Sequence, residues 1–372
     1  MDLPLLIFSN TRRDSDLRYL LETHVPDDIA VIFHRGKTTV LASALEINRL
    51  RNTGKIDELL SLDATKVSIG TGKISSVDIL KRFLEDLGIG KFCVKRDFPI
   101  YLAEGLRAAG FEMEIAEFYV LPQRLVKADW EVGEIRHAIE IAKKVFASVE
   151  GILANASVGI RKELVFEGEV LTSERLRWIM EDMSYALGAM AEDTIVACGV
   201  DACNPHNVGH GPLLANEFIL IDFFPYLRSS GYYADISRTF VKGKPSSEQV
   251  SMHNAVKSAH GLAISMVRDG VPANGIMAAV LGHLEGKGYE SSKTSNPPRG
   301  MFHSLGHGFG LDIHEPPKLG IGDDILTAGM VTSVEPGLYY PEIGGIRIED
   351  DILIGDASCE VLSQIPYDWI LE

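Results

Sequence analysis

Apolar positions recur along this chain with two periods, and the switches between them outline its elements. Ile135, Ala138, Ile139, Ala142, Val145, Phe146, Val149, Ile152 and Leu153 fall at helical spacing and form one apolar face, the pattern of a long helix packed on a core. A second helix is predicted over residues 173–187, with Thr172 or Ser173 as its N-cap. A third starts after Ser246-Ser247-Glu248-Gln249, a capping-box sequence, and a fourth covers residues 275–287. Short β-branched or apolar runs lie at 194–197 and 217–223, and further strand-like runs close the chain. Two stretches, each of two helices followed by strands, predict an internally duplicated α+β domain, although the halves share no evident residue-level repeat.

The N-terminal part alternates differently. Met1-Asp2-Leu3-Pro4-Leu5-Leu6-Ile7-Phe8 is apolar but short and lacks a basic leader, so it reads as a first strand. Ala30-Val31-Ile32-Phe33 and Thr38-Thr39-Val40-Leu41-Ala42 flank the turn-like His34-Arg35-Gly36-Lys37 and predict a hairpin. Helices are expected over 43–51, 75–87 and 100–109, with a strand at Lys66-Val67-Ser68-Ile69. This alternation predicts an α/β domain, a sheet covered by helices, with no phosphate-binding glycine loop. Residues 118–127 mark the boundary, dividing the chain into 1–124 and 125–372.

Composition narrows the function. A hydrophobic fraction of 46% over 372 residues is ample for two cores. The formal charge of −16 argues against nucleic-acid and anionic-membrane partners, and no apolar run approaches membrane-spanning length. Cys93, Cys198, Cys203 and Cys359 show no C-x-x-C spacing. Free thiols in a reducing cytoplasm are the expected state, with a Cys198–Cys203 pairing or metal role the weaker alternative.

The chemistry concentrates in Asp222, Asp235, His307, Glu335 and Glu349, each in a strand or strand edge with apolar flanks. Burying four carboxylates together is prohibitive unless cations neutralise them, and a pair of divalent metals would do so. A turn centred between Arg228 and Ser229 would set Asp222 directly opposite Asp235, with Cβ atoms about 5 Å apart. The alternative is two solvent-facing aspartates at a hairpin end, which the apolar flanks weaken. Val331 to Glu335 is a strand run broken by Pro336-Gly337, and Gly344-Gly345 marks a turn. Beyond it, alternation puts Arg347 and Glu349 on one face and Ile346 and Ile348 on the other. That arginine could position a carboxylate or bind a substrate carboxylate, and a surface salt-bridge ladder is an equal reading. His303, His307 and His314 fall within a dozen glycine-rich residues, without the H-E-x-x-H spacing of a zincin.

In this order, several segments resemble the pita-bread metallopeptidases, the family of methionine aminopeptidase, aminopeptidase P and prolidase. They are Ile221-Asp222, Gly231-Tyr232-Tyr233-Ala234-Asp235-Ile236-Ser237-Arg238-Thr239-Phe240, Gly306-His307-Gly308, His314-Glu315-Pro316, Val334-Glu335-Pro336-Gly337-Leu338-Tyr339 and Gly345-Ile346-Arg347-Ile348-Glu349-Asp350. The resemblance spans about residue 124 to the end, and the N-terminal part, including Ser15-Asp16-Leu17-Arg18-Tyr19-Leu20, is similar to the extra domain of the prolidase branch. That domain, and His303 four residues before His307, favour the proline-specific branch. The resemblance implies an N-terminal creatinase-like domain (1–124) and a pita-bread catalytic domain (125–372). It also implies a peptidase that hydrolyses Xaa-Pro bonds in dipeptides or short peptides. Asp222 would hold one divalent metal, His307 and Glu335 the other, and Asp235 and Glu349 would bridge them. Manganese or cobalt heads the expected metals, with zinc or iron also compatible. A water or hydroxide between the metals would attack the scissile carbonyl, with Glu335 as proton shuttle. His206 and His314 would contact substrate, and His303 and Arg347 would bind its proline end. A homodimer is implied. The alternatives are a methionine aminopeptidase-like or other dipeptidase specificity, or a non-catalytic binding protein of the same fold. Two departures from the family pattern concern the pocket wall and hairpin tip: Phe224 stands where glycine is common, and the Asp222–Asp235 interval is slightly long.

Overall fold

The computed structural model describes residues 3–118 and 120–372, so Met1, Asp2 and Tyr119, which the strand and boundary readings touched, lie outside the described residues. The chain forms two compact units, Met1–Arg124 and Leu125–Glu372.

The first unit is a six-stranded mixed sheet flanked by helices. In chain order its elements are β1 (Leu5–Ser9), α1 (Ser15–Leu21), β2 (Ile29–His34), β3 (Lys37–Ala42), α2 (Ala44–Arg51), β4 (Glu58–Ser61), α3 (Leu62–Ile69), α4 (Ser76–Asp86), β5 (Lys91–Val94), α5 (Ile100–Ala108) and β6 (Glu112–Ile115). The sheet order is β4-β3-β2-β1-β5-β6. The β2–β3 hairpin forms as expected, with His34 opposite Lys37. The strand expected at Lys66 to Ile69 is instead the end of helix α3, which Ser61 caps by accepting from the Ala64 amide at 3.2 Å. The sheet takes Glu58–Ser61 instead, paired parallel to β3, and Val67, whose branching suggested a strand, is left exposed on the helix. The β5 and β6 strands went unread because each is only four residues long. Apolar side chains fill both faces of the sheet, Leu5, Val31 and Val40 on one and Leu6, Ile32 and Leu41 on the other.

The second unit opens with α6 (Asp129–Asn155), whose predicted stripe is buried except at Ile152, which is half-buried. Three short strands, β7 (Ser157–Val158), β8 (Leu164–Phe166) and β9 (Glu169–Val170), lead to α7 (Ser173–Ala186), capped by Thr172. After β10 (Ala189–Met190) come β11 (Ile195–Cys198), β12 (Ile219–Phe223), β13 (Tyr226–Leu227) and β14 (Ile236–Lys242). The second pair of helices is α8 (Ser247–Met266), with the full Ser246/Gln249 capping box, and α9 (Ala273–Gly286). The remaining strands are β15 (Gly306–Gly308), β16 (Glu315–Leu319), β17 (Val331–Val334), β18 (Gly337–Tyr340), β19 (Gly344–Arg347), β20 (Asp350–Ile354), β21 (Cys359–Val361) and β22 (Ile370–Leu371). Each helix pair thus precedes one curved sheet, β11-β12-β14-β22 or β16-β15-β17-β20-β21. The architecture is α+β, with two halves that each set a helix pair before a sheet, as expected. The turn read at Gly344-Gly345 falls earlier, at residues 341–343, and both glycines belong to β19. They are needed there because the strand crosses the 201–203 segment so closely that a Cβ on Gly345 would lie 1.9 Å from the Ala202 carbonyl oxygen.

Candidate metal centre

The two sheets bring the five singled-out residues together. Asp222 comes from β12, Asp235 from the residue just before β14, His307 from β15, Glu335 from the residue just after β17, and Glu349 from the link between β19 and β20. Asp235 and Glu349 are buried, while Asp222, His307 and Glu335 are partly so.

The Asp222–Asp235 hairpin corrects the expected register. Asp222 pairs with Ser237, not Asp235, because the turn centres between Ser229 and Ser230, where Leu227 donates to the Tyr232 carbonyl and Tyr226 faces Tyr233. The shift is two residues, and side-chain direction repeats every two residues. Asp235 therefore keeps the same face as Ser237 and still points toward Asp222's cluster. Its amide donates to Asp351 Oδ2 at 3.1 Å.

Two glycines allow His307 to reach the cluster. A Cβ at Gly306 would lie 2.1 Å from the Ser333 carbonyl oxygen, and one at Gly308 would lie 2.3 Å from that of Pro316. Any larger residue would push β15 away from β17 or β16. His307 Nδ1 lies 3.2 Å from the Gly308 carbonyl oxygen. That oxygen can only accept, so Nδ1 carries the ring proton and Nε2 presents its lone pair. Nε2 lies 3.4 Å from Asp235 Oδ2 and 3.6 Å from Glu335 Oε1. Three electron-rich atoms facing one another repel unless a cation sits among them. A backbone carbonyl on the far nitrogen is also the usual way a protein orients a metal-binding imidazole.

The protonation preferences carry the same message. Burial, then the charge of Glu349, raises Asp235 well above the ordinary aspartate value, and the same two causes raise Glu335. Burial and then Asp222 push Glu349 up to about 7. Burial and then His314 lower His307 to about 3, which keeps its imidazole neutral. Asp235, His307 and Glu349 each place a ligand atom within 4.8 Å of the others'. An oxygen-rich set with one neutral imidazole suits divalent ions such as Mn²⁺, Fe²⁺, Co²⁺ or Zn²⁺, so the residues present fit a metal.

Around these five, Arg347 and His303, singled out with them, and Ser237, Tyr339 and Arg238, which were not, fix the geometry. Arg347 bonds Asp222 Oδ2 through Nη2, Ser237 Oγ through Nε at 2.9 Å and the Tyr339 hydroxyl through Nη1 at 3.2 Å. Ser237 Oγ lies 2.7 Å from Glu349 Oε2 and 3.0 Å from Asp222 Oδ1, so its single proton serves one carboxylate at a time. His303 Nδ1 lies 2.6 Å from the Ser304 carbonyl oxygen and must donate to it, which leaves Nε2 to accept from the Tyr339 hydroxyl at 2.9 Å. A one-way chain of donors thus runs from Arg347 through Tyr339 and His303 to Ser304. Substrate contact by His303 or Arg347 requires exchanging one of these bonds. Behind the site, Arg238 donates to the carbonyls of Ser237 (2.9 Å) and Glu349 (2.6 Å), to Asp350 Oδ1 (2.7 Å) and to the carbonyls of Ile365 and Pro366. Ser237 and Asp351 were findable, since each sits two residues after a singled-out carboxylate on the same face. Tyr339 and Arg238 gave no such signal. His314 is exposed and its ring meets that of His307 at 4.3 Å between centroids. His206 is also exposed, close enough to act electrostatically on His303 and His314.

Residues 133–356 match metallopeptidase family M24. An uncharacterised peptidase of Bacillus subtilis (strain 168), YqhT, is 32% identical over 250 residues, 67% of this chain and 65% of that protein. One from Staphylococcus aureus (strain MRSA252) is 33% identical over 242 residues, 64% of this chain and 63% of its own length. The match therefore spans just under two thirds of these relatives. Among solved structures, an Xaa-Pro dipeptidase from Bacillus anthracis aligns with a TM-score of 0.82 at 24% identity, covering 99% of this chain and 94% of that one. A dipeptidase from Pyrococcus horikoshii OT3 aligns at 0.80 and 26% identity, covering 99% and 95%. An X-Pro aminopeptidase from Thermotoga maritima MSB8 aligns at 0.80 and 23% identity, covering 99% and 97%.

Proposed function

The chain belongs to metallopeptidase family M24, and from that premise we propose that it is a metal-dependent peptidase cleaving the Xaa-Pro bond at a free N-terminus. The observation that carries the reading is the neutral His307 Nε2 lone pair aimed at the carboxylates of Asp235 and Glu335, with Glu349 completing the set. Structural likeness to an Xaa-Pro dipeptidase and an X-Pro aminopeptidase supports the proline-specific branch.

In this reading Asp222, Asp235, His307, Glu335 and Glu349 would hold two divalent ions. Bound there, the ions supply Lewis acidity and lower the pKa of water toward neutrality. Ser237 and Arg347 hold Asp222 and Glu349 in place. Glu335 would accept the proton of the attacking water on a carboxylate oxygen and return it to the departing proline nitrogen. His314, whose ring meets that of His307, and His206, which acts on His303 and His314, present N–H groups to the carbonyl oxygen as charge builds on it. His303, fixed by Tyr339, and Arg347 form the wall that meets the proline end.

The test is hydrolysis of an Xaa-Pro dipeptide by the full chain with Mn²⁺ or Co²⁺, compared with an Xaa-Pro-Xaa tripeptide. Chelation is expected to abolish turnover. Asp235→Asn is expected to reduce kcat/KM by more than the roughly 100-fold typical of outer metal-site changes. Cleavage of the dipeptide alone marks a dipeptidase, and cleavage of both marks an aminopeptidase. A protein that binds no divalent metal and is indifferent to Asp235→Asn sinks the proposal.

A further inference from the structure

The first unit has a cleft of its own. Strands β1 and β5 lie side by side and parallel, and the chain leaves their carboxyl ends in opposite directions. From β1 it passes through α1 to β2 on one side, and from β5 through α5 to β6 on the other. Where such connections part, an open α/β sheet leaves a crevice at its carboxyl edge, and that is where these sheets bind ligands. Here the crevice encloses about 270 Å³ between the end of β1, the loop carrying Arg13 and Asp14, Asp28 just before β2, and residues 95–101. That is near the lower limit of small-molecule sites.

Its charges are sorted by depth. On the floor, Lys95 Nζ lies 2.9 Å from Asp16 Oδ2 and 3.2 Å from Asp14 Oδ2. The fully buried Asp16 also accepts from Arg124 Nη1 at 2.7 Å and from the Leu121 amide at 3.0 Å. Two cations meet two carboxylates there, so the floor asks for no counter-charge. The rim is different. Arg13 pairs with Asp28 in an exposed contact, of the kind that contributes little and is readily exchanged. Asp97, also exposed, lines the cleft too. Phe8, Phe98 and Tyr101 line the remainder. The cleft therefore offers a guanidinium fork that suits a carboxylate, carboxylates that suit an ammonium, and rings for an apolar side chain.

We propose that this cleft binds a free amino acid, or a zwitterion of that size, bearing an aromatic or aliphatic side chain. Arg13 takes the carboxylate, Asp97 and Asp28 take the ammonium, and the rings hold the side chain. The inference does not depend on the peptidase reading. Where both hold, the ligand belongs to the same chemical class as the products.

Calorimetric titration of the full chain with L-phenylalanine, in the presence of a chelator, tests it. Saturable binding is expected, weakened at least about tenfold by Arg13→Gln and by Asp97→Asn, both exposed positions whose unchanged circular dichroism confirms folding. Asp235→Asn is expected to leave the affinity unchanged. N-acetyl-phenylalanine, which lacks the ammonium, and phenethylamine, which lacks the carboxylate, are expected to bind at least about tenfold more weakly than the amino acid. Absence of saturable binding overturns the proposal. So does binding that survives both rim substitutions, or binding lost only with Asp235→Asn, which assigns the ligand to the metal centre. A failure of peptidase activity leaves this titration unaffected.

Discussion

His307 shows how one side chain is committed by its neighbours. With its Nδ1–H donating to the Gly308 carbonyl, it can face the carboxylates only as an acceptor through Nε2. The pH behaviour of the metal-stripped protein follows from this cluster. Glu349 has its ordinary value of 4.5 raised to about 7 by burial and Asp222. Asp235 and Glu335 are raised by burial and Glu349. A carboxyl with a raised folded pKa favours the folded state at low pH, and that advantage is lost as pH rises through the folded value. His307 is lowered from 6.5 to about 3 and acts oppositely, its contribution being lost as pH falls through that interval. Above 6.5 the carboxylates act without opposition from His307. The chelated protein is therefore expected to lose roughly 1–3 kcal/mol as pH rises from 6.5 through and beyond 7, while the metal-loaded protein holds steady. Thermal melts with chelator and with Mn²⁺ read this directly, and a chelated melting temperature that climbs across the window contradicts it. All five residues of the cluster were legible as residue types in apolar strands. Ser237 was legible only through its two-residue offset from Asp235, and Tyr339 was not legible, because one tyrosine in an apolar run looks like any other core residue.

At the scale of elements, patterns long enough to average over many residues were read correctly. The α6 stripe and the Ser246 capping box are examples, since each rests on local spacing alone. Short elements were not. Lys66 to Ile69 contains two β-branched residues, yet Ser61 caps a helix through it and the sheet pairs the preceding four residues. The glycines around His307 belong to this scale too, because their need arises between strands. Gly308→Ala is expected to destabilise by about 1–3 kcal/mol through overpacking against Pro316 and to weaken metal binding. Gly261 lies inside α8 with nothing near its missing Cβ. There, Gly261→Ala is expected to stabilise by about 0.5–1 kcal/mol. Urea denaturation of both variants checks the pair, and equal effects would falsify the steric account of β15.

At the scale of the whole molecule, the metal centre lies wholly within the second unit, Leu125–Glu372. Ligand binding to a folded state stabilises it by mass action, about 2.7 kcal/mol at a concentration 100 times Kd. Scanning calorimetry is therefore expected to show chelation lowering the transition of the second unit, with the Asp235→Asn protein unresponsive to added metal. An unchanged scan speaks against a resident metal. No helix among the described residues is long and apolar enough to cross a membrane. The sequence by itself determined the helix stripes, the caps and the residue types from which a metal centre could be built, because all of these rest on local periodicity and composition. Only the tertiary structure decided that Asp222 faces Ser237, that Arg347 is shared among Asp222, Ser237 and Tyr339, and that the His307 lone pair points at two carboxylates. Those outcomes depend on strand register and on contacts between segments as far apart in the chain as Asp222 and Arg347, and no local rule of spacing reaches that far.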